Sequence, residues 1–99
     1  MGKYTKPYHN KLVNAKDDKV LGNHKVEKFG THRYFFYFGS CVCSVDDIDK
    51  TFELDACGWG EHRSTKICLA GYREVFTELG YKEVNPKPIW RYEKWESIL

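Results

Sequence analysis

The run HRYFFYF, residues 32–38, constrains the fold of this chain more than any other segment. Alternate residues of an extended strand share a face. The run therefore divides into two sets: Tyr34, Phe36 and Phe38 on one side, and Arg33, Phe35 and Tyr37 on the other. Aromatic residues on both sides are typical of a central strand whose sheet is covered on both faces, and only secondarily of a platform on which bases stack.

Shorter stretches with the same two-residue period lie on either side of this run. Residues 25–29 alternate before a turn at Gly30-Thr31, and residues 41–45 follow a turn at Gly39-Ser40. The loop DDIDK and a return strand at 51–57 then complete a hairpin. In that return strand the alternation places Phe52, Leu54 and Ala56 inward and Thr51, Glu53 and Asp55 outward.

Beyond residue 60 the period changes from 2 to 3.6, which indicates an amphipathic helix. Its apolar stripe comprises Cys68, Tyr72, Val75, Phe76 and Leu79. With Ser64 as N-cap and Gly80 as the left-handed residue after the last turn, the helix is predicted over 65–79. Gly71 within it costs about 1 kcal/mol relative to Ala, which indicates a close approach to the sheet or to a neighbouring chain.

The joint between the return strand and the helix, DACGWGEHRSTK, has a structural interpretation. Gly58 and Gly60 allow a sharp backbone turn, and Trp59 closes the end of the core. Ser64 and Thr65 satisfy the first helical amides.

These patterns predict an α+β domain: a twisted antiparallel sheet of about four strands with one main helix packed across one face. Ninety-nine residues make a single domain, 1–99, with its core over 24–92 and residues 1–10 as a mobile basic arm. The tail has strand character in YKEV and again in IWRY, and Pro86 and Pro88 confine this part to an edge or a bulge.

The net charge of +2 is small, but the charges are segregated along the chain. Lysines dominate residues 1–19, whereas 46–55 is mostly acidic. Segregated charge favours a polar partner-binding surface over a membrane surface. No apolar run suggests a membrane span or a signal segment, so we expect a cytoplasmic protein with reduced thiols at Cys41, Cys43, Cys57 and Cys68.

Motifs for particular chemistries are incomplete. The cysteines and histidines lack the paired spacing of a zinc site, the acidic loop lacks the glycine and glutamate of a calcium loop, and neither common phosphate-binding loop occurs. Cys57, His62, Ser64 and Thr65 lie close in sequence, but Ser-Thr at a helix start is ordinary capping. We therefore expect no metal, no cofactor and no enzymatic activity.

The order CGW, four residues, STK after a strand resembles a group of small bacteriophage-encoded proteins of uncharacterised function. The matching residues are Phe52, Leu54, Cys57, Gly58, Trp59, Ser64, Thr65 and Lys66. The resemblance covers about 23–92, and the chain departs from the pattern at Gly60, His62 and its cysteine-rich third strand. It implies a protein that binds host or anti-phage defence machinery in the host cytoplasm.

The leading functional hypothesis is therefore a non-enzymatic phage accessory protein that inhibits or redirects a host or defence protein. Its candidate partner-binding residues are Asp46, Asp47, Asp49, Glu53, Asp55, Trp90 and Tyr92. The alternative is a nucleic-acid-associated module. Its candidate contacts are Lys3, Lys6, Lys11, Arg33, Arg63 and Lys66. Self-association through the aromatic face is a third hypothesis.

Overall fold

The computed structural model describes residues 6–57 and 62–86. Its elements, in chain order, are α1 (Lys6–Val13), β1 (Lys19–Leu21), β2 (His24–Phe29), β3 (His32–Tyr37), β4 (Ser40–Asp46), β5 (Thr51–Leu54), α2 (Arg63–Glu78) and β6 (Lys82–Glu83). The fold is α+β, with one main helix, as predicted. No helix among these residues is long and apolar enough to cross a membrane.

The sheet is larger than predicted and mixed rather than antiparallel. Six strands lie in the order β1-β2-β3-β4-β5-β6, and neighbours from β1 to β5 are antiparallel. Strand β6 pairs with β5 in parallel, because α2 carries the chain between them. The prediction of about four strands left out β1, whose three residues are too short to show a two-residue period, whereas the strand segment predicted in YKEV contains β6 at the edge of the sheet.

The turn between β3 and β4 is displaced by one residue from its predicted position. Phe38 and Gly39 form it, with φ angles of 50° and 80°, while Ser40 begins β4. Two successive positive φ angles are the pattern of a type I′ hairpin turn. Phe38 therefore leaves the strand face that it was predicted to share with Tyr34 and Phe36, and its side chain is exposed.

The core lies between the helices and one face of the sheet. Both helices contact the sheet, α1 at β1 and β2 and α2 from β4 to β6, and they also contact each other. Strand β4 carries an extra residue, because Phe35 pairs with Cys43 and Phe36 with Cys41. The buried apolar residues are Leu12, Val13, Val26, Phe35, Tyr37, Val42, Cys43, Val45, Phe52, Leu54, Cys68, Leu69, Ala70, Tyr72, Val75 and Phe76.

Helix α2 begins earlier than predicted. His62 is its N-cap residue and makes no side-chain capping hydrogen bond, so Ser64 and Thr65 lie inside the first turn. Thr65 is buried and Ser64 half-buried. The predicted capping role of this Ser-Thr pair is therefore wrong, and Gly58, Trp59 and Gly60 of the predicted joint lie outside the described residues.

The C-terminus of α2 closes as the sequence predicted. Gly80 has a φ of 90°, the Tyr81 N–H donates to the Phe76 carbonyl at 2.9 Å, and the Gly80 N–H donates to the Thr77 carbonyl at 3.1 Å. This is the Schellman motif, and the rings of Tyr81 and Phe76 pack with centroids 5.2 Å apart. Leu79, predicted on the apolar stripe, is instead 54% exposed, because the helix ends before it.

Gly71 marks a close approach, as predicted, but the neighbour is α1 of the same chain. A Cβ atom at Gly71 would lie 2.5 Å from Cε1 of His9. His9 is fully buried, and Leu12 on the same helix belongs to the core. Residues 6–10, predicted to belong to a mobile arm, are therefore part of a helix that packs against α2.

Candidate binding face

The two faces of the sheet have different environments. The face toward the helices buries Arg33, Phe35 and Tyr37 of β3, whereas the opposite face leaves its side chains half-buried. We call this opposite surface the outer face. It comprises Lys25, Glu27 and Phe29 of β2, His32, Tyr34 and Phe36 of β3, Cys41, Ser44 and Asp46 of β4, Thr51 and Glu53 of β5, and Lys82 of β6. The prediction of a sheet covered on both faces is therefore not met within the described residues, whose two helices pack on one face.

Aromatic rings form a strip along the middle of the outer face. His32 stacks on Tyr34 with ring centroids 6.3 Å apart and planes inclined by 12°. Phe29, exposed at the end of β2, lies 5.8 Å from Tyr34. Lys25 Nζ is 4.7 Å from the centroid of Phe36. Phe29 of β2 and Tyr34 and Phe36 of β3 form this aromatic strip, which presents a flat apolar surface.

Acidic side chains border this strip. Glu27, Tyr34, Ser44 and Glu53 lie in one row across the sheet. In the adjoining row, His32 Nε2 lies 3.4 Å from a carboxylate oxygen of Asp46. A groove of about 210 Å³ runs between the two rows. Its lining includes His32, Tyr34, Ser44, Asp46, Thr51 and Glu53. The groove therefore combines an aromatic wall with two carboxylates, those of Asp46 and Glu53.

Asp46 also shapes the loop between β4 and β5. Its Oδ1 accepts hydrogen bonds from the backbone N–H groups of Ile48 at 2.9 Å and Asp49 at 3.0 Å. The bond from Asp49, followed by that from Ile48 and the charge of His32, holds the pKa of Asp46 below its usual value. Asp46 is thus a permanent negative charge at neutral pH.

Asp47, predicted as a partner contact, instead fastens this loop to the core. Arg33 donates to it through Nε at 2.8 Å and Nη2 at 2.7 Å, and Tyr81 donates its hydroxyl at 2.8 Å. Desolvation alone would raise the pKa of Asp47, but these hydrogen bonds and the charge of Arg33 outweigh it and lower the pKa. Arg33 Nη1 also donates to the Val13 carbonyl at 2.6 Å, which joins α1 to the same network.

The remaining acidic candidates differ in their roles. Asp55 accepts a hydrogen bond from the Cys57 N–H at 2.8 Å and so organises the end of the β5 segment. Asp49 is exposed on the loop, and Glu53 lies on the outer face. Trp90 and Tyr92 lie outside the described residues.

The nucleic-acid candidates whose side chains the structure describes do not form one exposed basic surface. Arg33 is only 7% exposed and is paired with Asp47, and Lys66 is buried on α2. Their predicted role as surface contacts is therefore wrong, since a phosphate would have to enter the core to reach them. Lys11 and Arg63 are exposed, whereas Lys3 and the side chain of Lys6 lie outside the described part.

A buried polar cluster between α1, α2 and β2 was not predicted. His9 donates through Nε2 to the Cys68 carbonyl at 2.9 Å and meets the Tyr72 ring edge-on at 4.2 Å. His24 Nδ1 lies 3.9 Å from Cys68 Sγ. Burial, followed by the charge of His9, lowers the pKa of His24 to about 4. Burial also raises the pKa of Cys68 to about 12.

This cluster packs α1 and α2 against β2. The Tyr72 hydroxyl is buried and has no hydrogen-bond partner within the described residues. Among residues 6–57 and 62–86, no group of three His, Cys, Asp or Glu side chains is arranged to hold a metal ion. The spacing of His9 and Leu12, with Gly71 in α2, was the available sequence signal for this packing.

A second cavity, of about 290 Å³, lies where the β3–β4 hairpin meets the start of α2. Tyr37, Phe38 and Val42 supply its apolar wall. His62, Ser64 and Thr65 line the other side, so the structure does bring these three neighbours to one cavity. Cys57, the fourth member of that sequence cluster, is absent from this lining.

Comparison with known proteins assigns no family and no function to this chain. No family model, curated protein or solved structure matches the chain. The resemblance to bacteriophage-encoded proteins therefore stays a prediction. The outer face, with its aromatic strip and acidic border, is the surface on which a functional proposal can be based.

Proposed function

We propose that this chain is a non-enzymatic binding protein whose outer face captures a partner protein and thereby inhibits or redirects it. The observation that carries the proposal is the aromatic strip of the outer face together with the carboxylates that border it. Aromatic side chains on a rigid element supply much of the energy of protein interfaces. The motif resemblance to bacteriophage-encoded proteins supports a host or defence protein as the partner.

The charges of the outer face favour a partner segment that is apolar and basic. Glu27, Asp46 and Glu53 contribute three carboxylates, against two lysines, Lys25 and Lys82, and one histidine. Lys25 is itself paired with Glu27 at 3.1 Å. An apolar side chain could cover Tyr34 while flanking Lys or Arg residues meet the carboxylates.

The same charges make the outer face a poor surface for nucleic acid. A phosphate backbone approaching the aromatic strip would meet those three carboxylates before the rings. Arg33 and Lys66, which the nucleic-acid hypothesis required at the surface, are buried. Protein binding is therefore the function that these residues support better.

The test is affinity capture from host lysate with the tagged full chain, with and without nuclease. Tyr34→Ala removes the central ring of the outer face. Ile48→Ala is the matched control, because Ile48 is 70% exposed on the β4–β5 loop and is not part of the outer face. Size-exclusion chromatography of both variants establishes that each retains the compact fold.

We expect wild type and Ile48→Ala to retain one protein partner after nuclease treatment, and Tyr34→Ala to lose it. With the purified partner, Tyr34→Ala should weaken the Kd by about tenfold or more, as truncation of a central interface aromatic does. Equal capture by Tyr34→Ala would contradict the proposal. So would a partner that disappears on nuclease treatment, which would favour nucleic acid.

A further inference from the structure

We propose that Cys41 and Cys57 are a redox pair that closes a reversible disulfide between β4 and the segment after β5. Cys57 Sγ donates to the backbone carbonyl of Cys41 at 2.7 Å. The first thiol therefore touches the residue that carries the second. Partner binding on the outer face neither requires this chemistry nor is required by it.

The four cysteines fall into two classes by exposure. Cys43 and Cys68 are buried, whereas Cys57 is exposed and Cys41 half-buried. Burial raises the pKa of Cys43 well above its usual value and that of Cys68 to about 12. Oxidation requires access, so the buried pair is protected and the accessible pair is Cys41 and Cys57.

The backbone holds Cys57 against β4. The Asp55 N–H donates to the Val42 carbonyl at 2.9 Å, which extends the β4–β5 pairing beyond the last residue of β5. The Asp55 carboxylate then accepts the Cys57 N–H at 2.8 Å. Cys57 adopts a φ of 54°, in the left-handed region that a non-glycine residue enters at a cost. Two hydrogen bonds thus fix a turn that places the thiol at Cys41.

The chemistry balances with hydrogen peroxide as the two-electron oxidant. The Cys57 thiolate attacks one peroxide oxygen, the O–O bond breaks, and the released hydroxide takes up the proton that the thiol lost, leaving a sulfenic acid and one water. The Cys41 sulfur then attacks the Cys57 sulfur, the S–O bond breaks, and the departing hydroxyl leaves as a second water with the Cys41 proton. Two thiols and one peroxide become one disulfide and two waters.

Cys41 is suited to the second step. Desolvation raises its pKa, hydrogen bonding by the Cys43 backbone opposes this, and the neighbouring charges of Cys57 and Asp55 add to the increase. The raised pKa makes Cys41 a poorer first target of peroxide than an exposed thiol. Its position beside Cys57, rather than its acidity, gives it the role of the resolving cysteine.

The experiment treats the reduced full chain with hydrogen peroxide in native buffer, alkylates the remaining thiols and maps the peptides without reduction. We expect one intramolecular cross-link between Cys41 and Cys57, lighter by two hydrogens and reversed by dithiothreitol. Cys43 and Cys68 should be alkylated only after unfolding. The same treatment in concentrated urea should abolish the preference for this pair.

The Cys41→Ser variant removes the resolving thiol. It should accumulate a Cys57 sulfenic acid, trapped by dimedone, several-fold above wild type. The proposal would be overturned if wild type gave only disulfide dimers through Cys57. Equal dimedone labelling of wild type and Cys41→Ser, without a cross-linked peptide, would overturn it as well.

Discussion

Phe35 and Phe36 are adjacent, chemically identical residues whose surroundings differ completely. Phe35 is 0% exposed and packs against Tyr72 and Phe76 of α2, with ring centroids at 4.9 and 5.6 Å. Phe36 is half-buried on the outer face, where Lys25 lies over its ring. Residue type alone therefore does not assign an aromatic strand residue to stability or to binding. The helix that packs on one face decides which of the two rings is buried.

The largest expected effect separates these two phenylalanines. Phe35→Ala should reduce the free energy of unfolding by about 3–5 kcal/mol, because it opens a cavity beneath α2. Phe36→Ala, the matched control, should cost only about 1 kcal/mol, since less apolar area is lost. Urea denaturation followed by circular dichroism measures both, and similar losses would contradict the contrast between the faces.

The next effect concerns Arg33, the charged residue on the buried face. Arg33→Leu should cost about 2–3 kcal/mol, because it leaves the Asp47 carboxylate without its bidentate partner. The double variant Arg33→Leu with Asp47→Asn should recover part of this loss, since no charge is then left unpaired. If both variants were as stable as wild type in urea denaturation, the network would have no structural role.

Acidification tests the buried histidine on the same side of the sheet. The folded-state pKa of His24 is about 4, below the ordinary value of 6.5, so the unfolded chain binds more protons between these values. The contribution of His24 to the free energy of unfolding should be fully present above pH 6.5. It should be lost as the pH decreases toward 4, by about 3 kcal/mol in all.

Urea denaturation at a series of pH values measures how steeply the free energy of unfolding changes with pH. His24→Gln should reduce this slope between pH 6.5 and 4, whereas His32→Gln on the outer face should leave it unchanged. A slope between pH 6.5 and 4 that persisted in His24→Gln would show that His24 is not its source.

The smallest expected effect tests the contact between α1 and α2. Ala normally stabilises a helix relative to Gly, but Gly71→Ala should cost about 1–2 kcal/mol, because its methyl group meets the His9 ring. His9→Ala in the same background should make the alanine at position 71 tolerated. Thermal unfolding of the single and double variants measures this coupling, and a stabilising Gly71→Ala would contradict the close packing.

The sequence predicted the central strands and the main helix because these segments are long enough for their periodicity to be recognised. Phe52 and Leu54 were placed inward, and Gly80 was placed at the helix end, both as observed. Strand β1 was missed because it is only three residues long, whereas the strand segment predicted in YKEV contains β6. Helix α1 was missed because its KPYHNKLV sequence has little apolar periodicity, and only the spacing of His9 and Leu12 indicates its packing.

The candidate site was predicted less well, for a physical reason. Charged residues were assigned to the surface, yet Arg33 and Asp47 satisfy each other beside the core and Asp46 and Asp55 bind backbone amides. Such pairing depends on which segments meet in three dimensions. The aromatic alternation on β3 was visible in the sequence, but only the position of the helices identifies the side that the described residues leave half-buried.

Hydroxyl-radical footprinting of the chain with and without its captured partner tests the central claim most directly, because it reports side-chain exposure residue by residue. If the outer face binds the partner, Tyr34 and Phe36 should lose their reactivity in the complex, while Phe35 stays unreactive and Ile48 stays reactive. Unchanged oxidation of Tyr34 and Phe36, with protection confined to Phe38 or Ile48, would contradict the account.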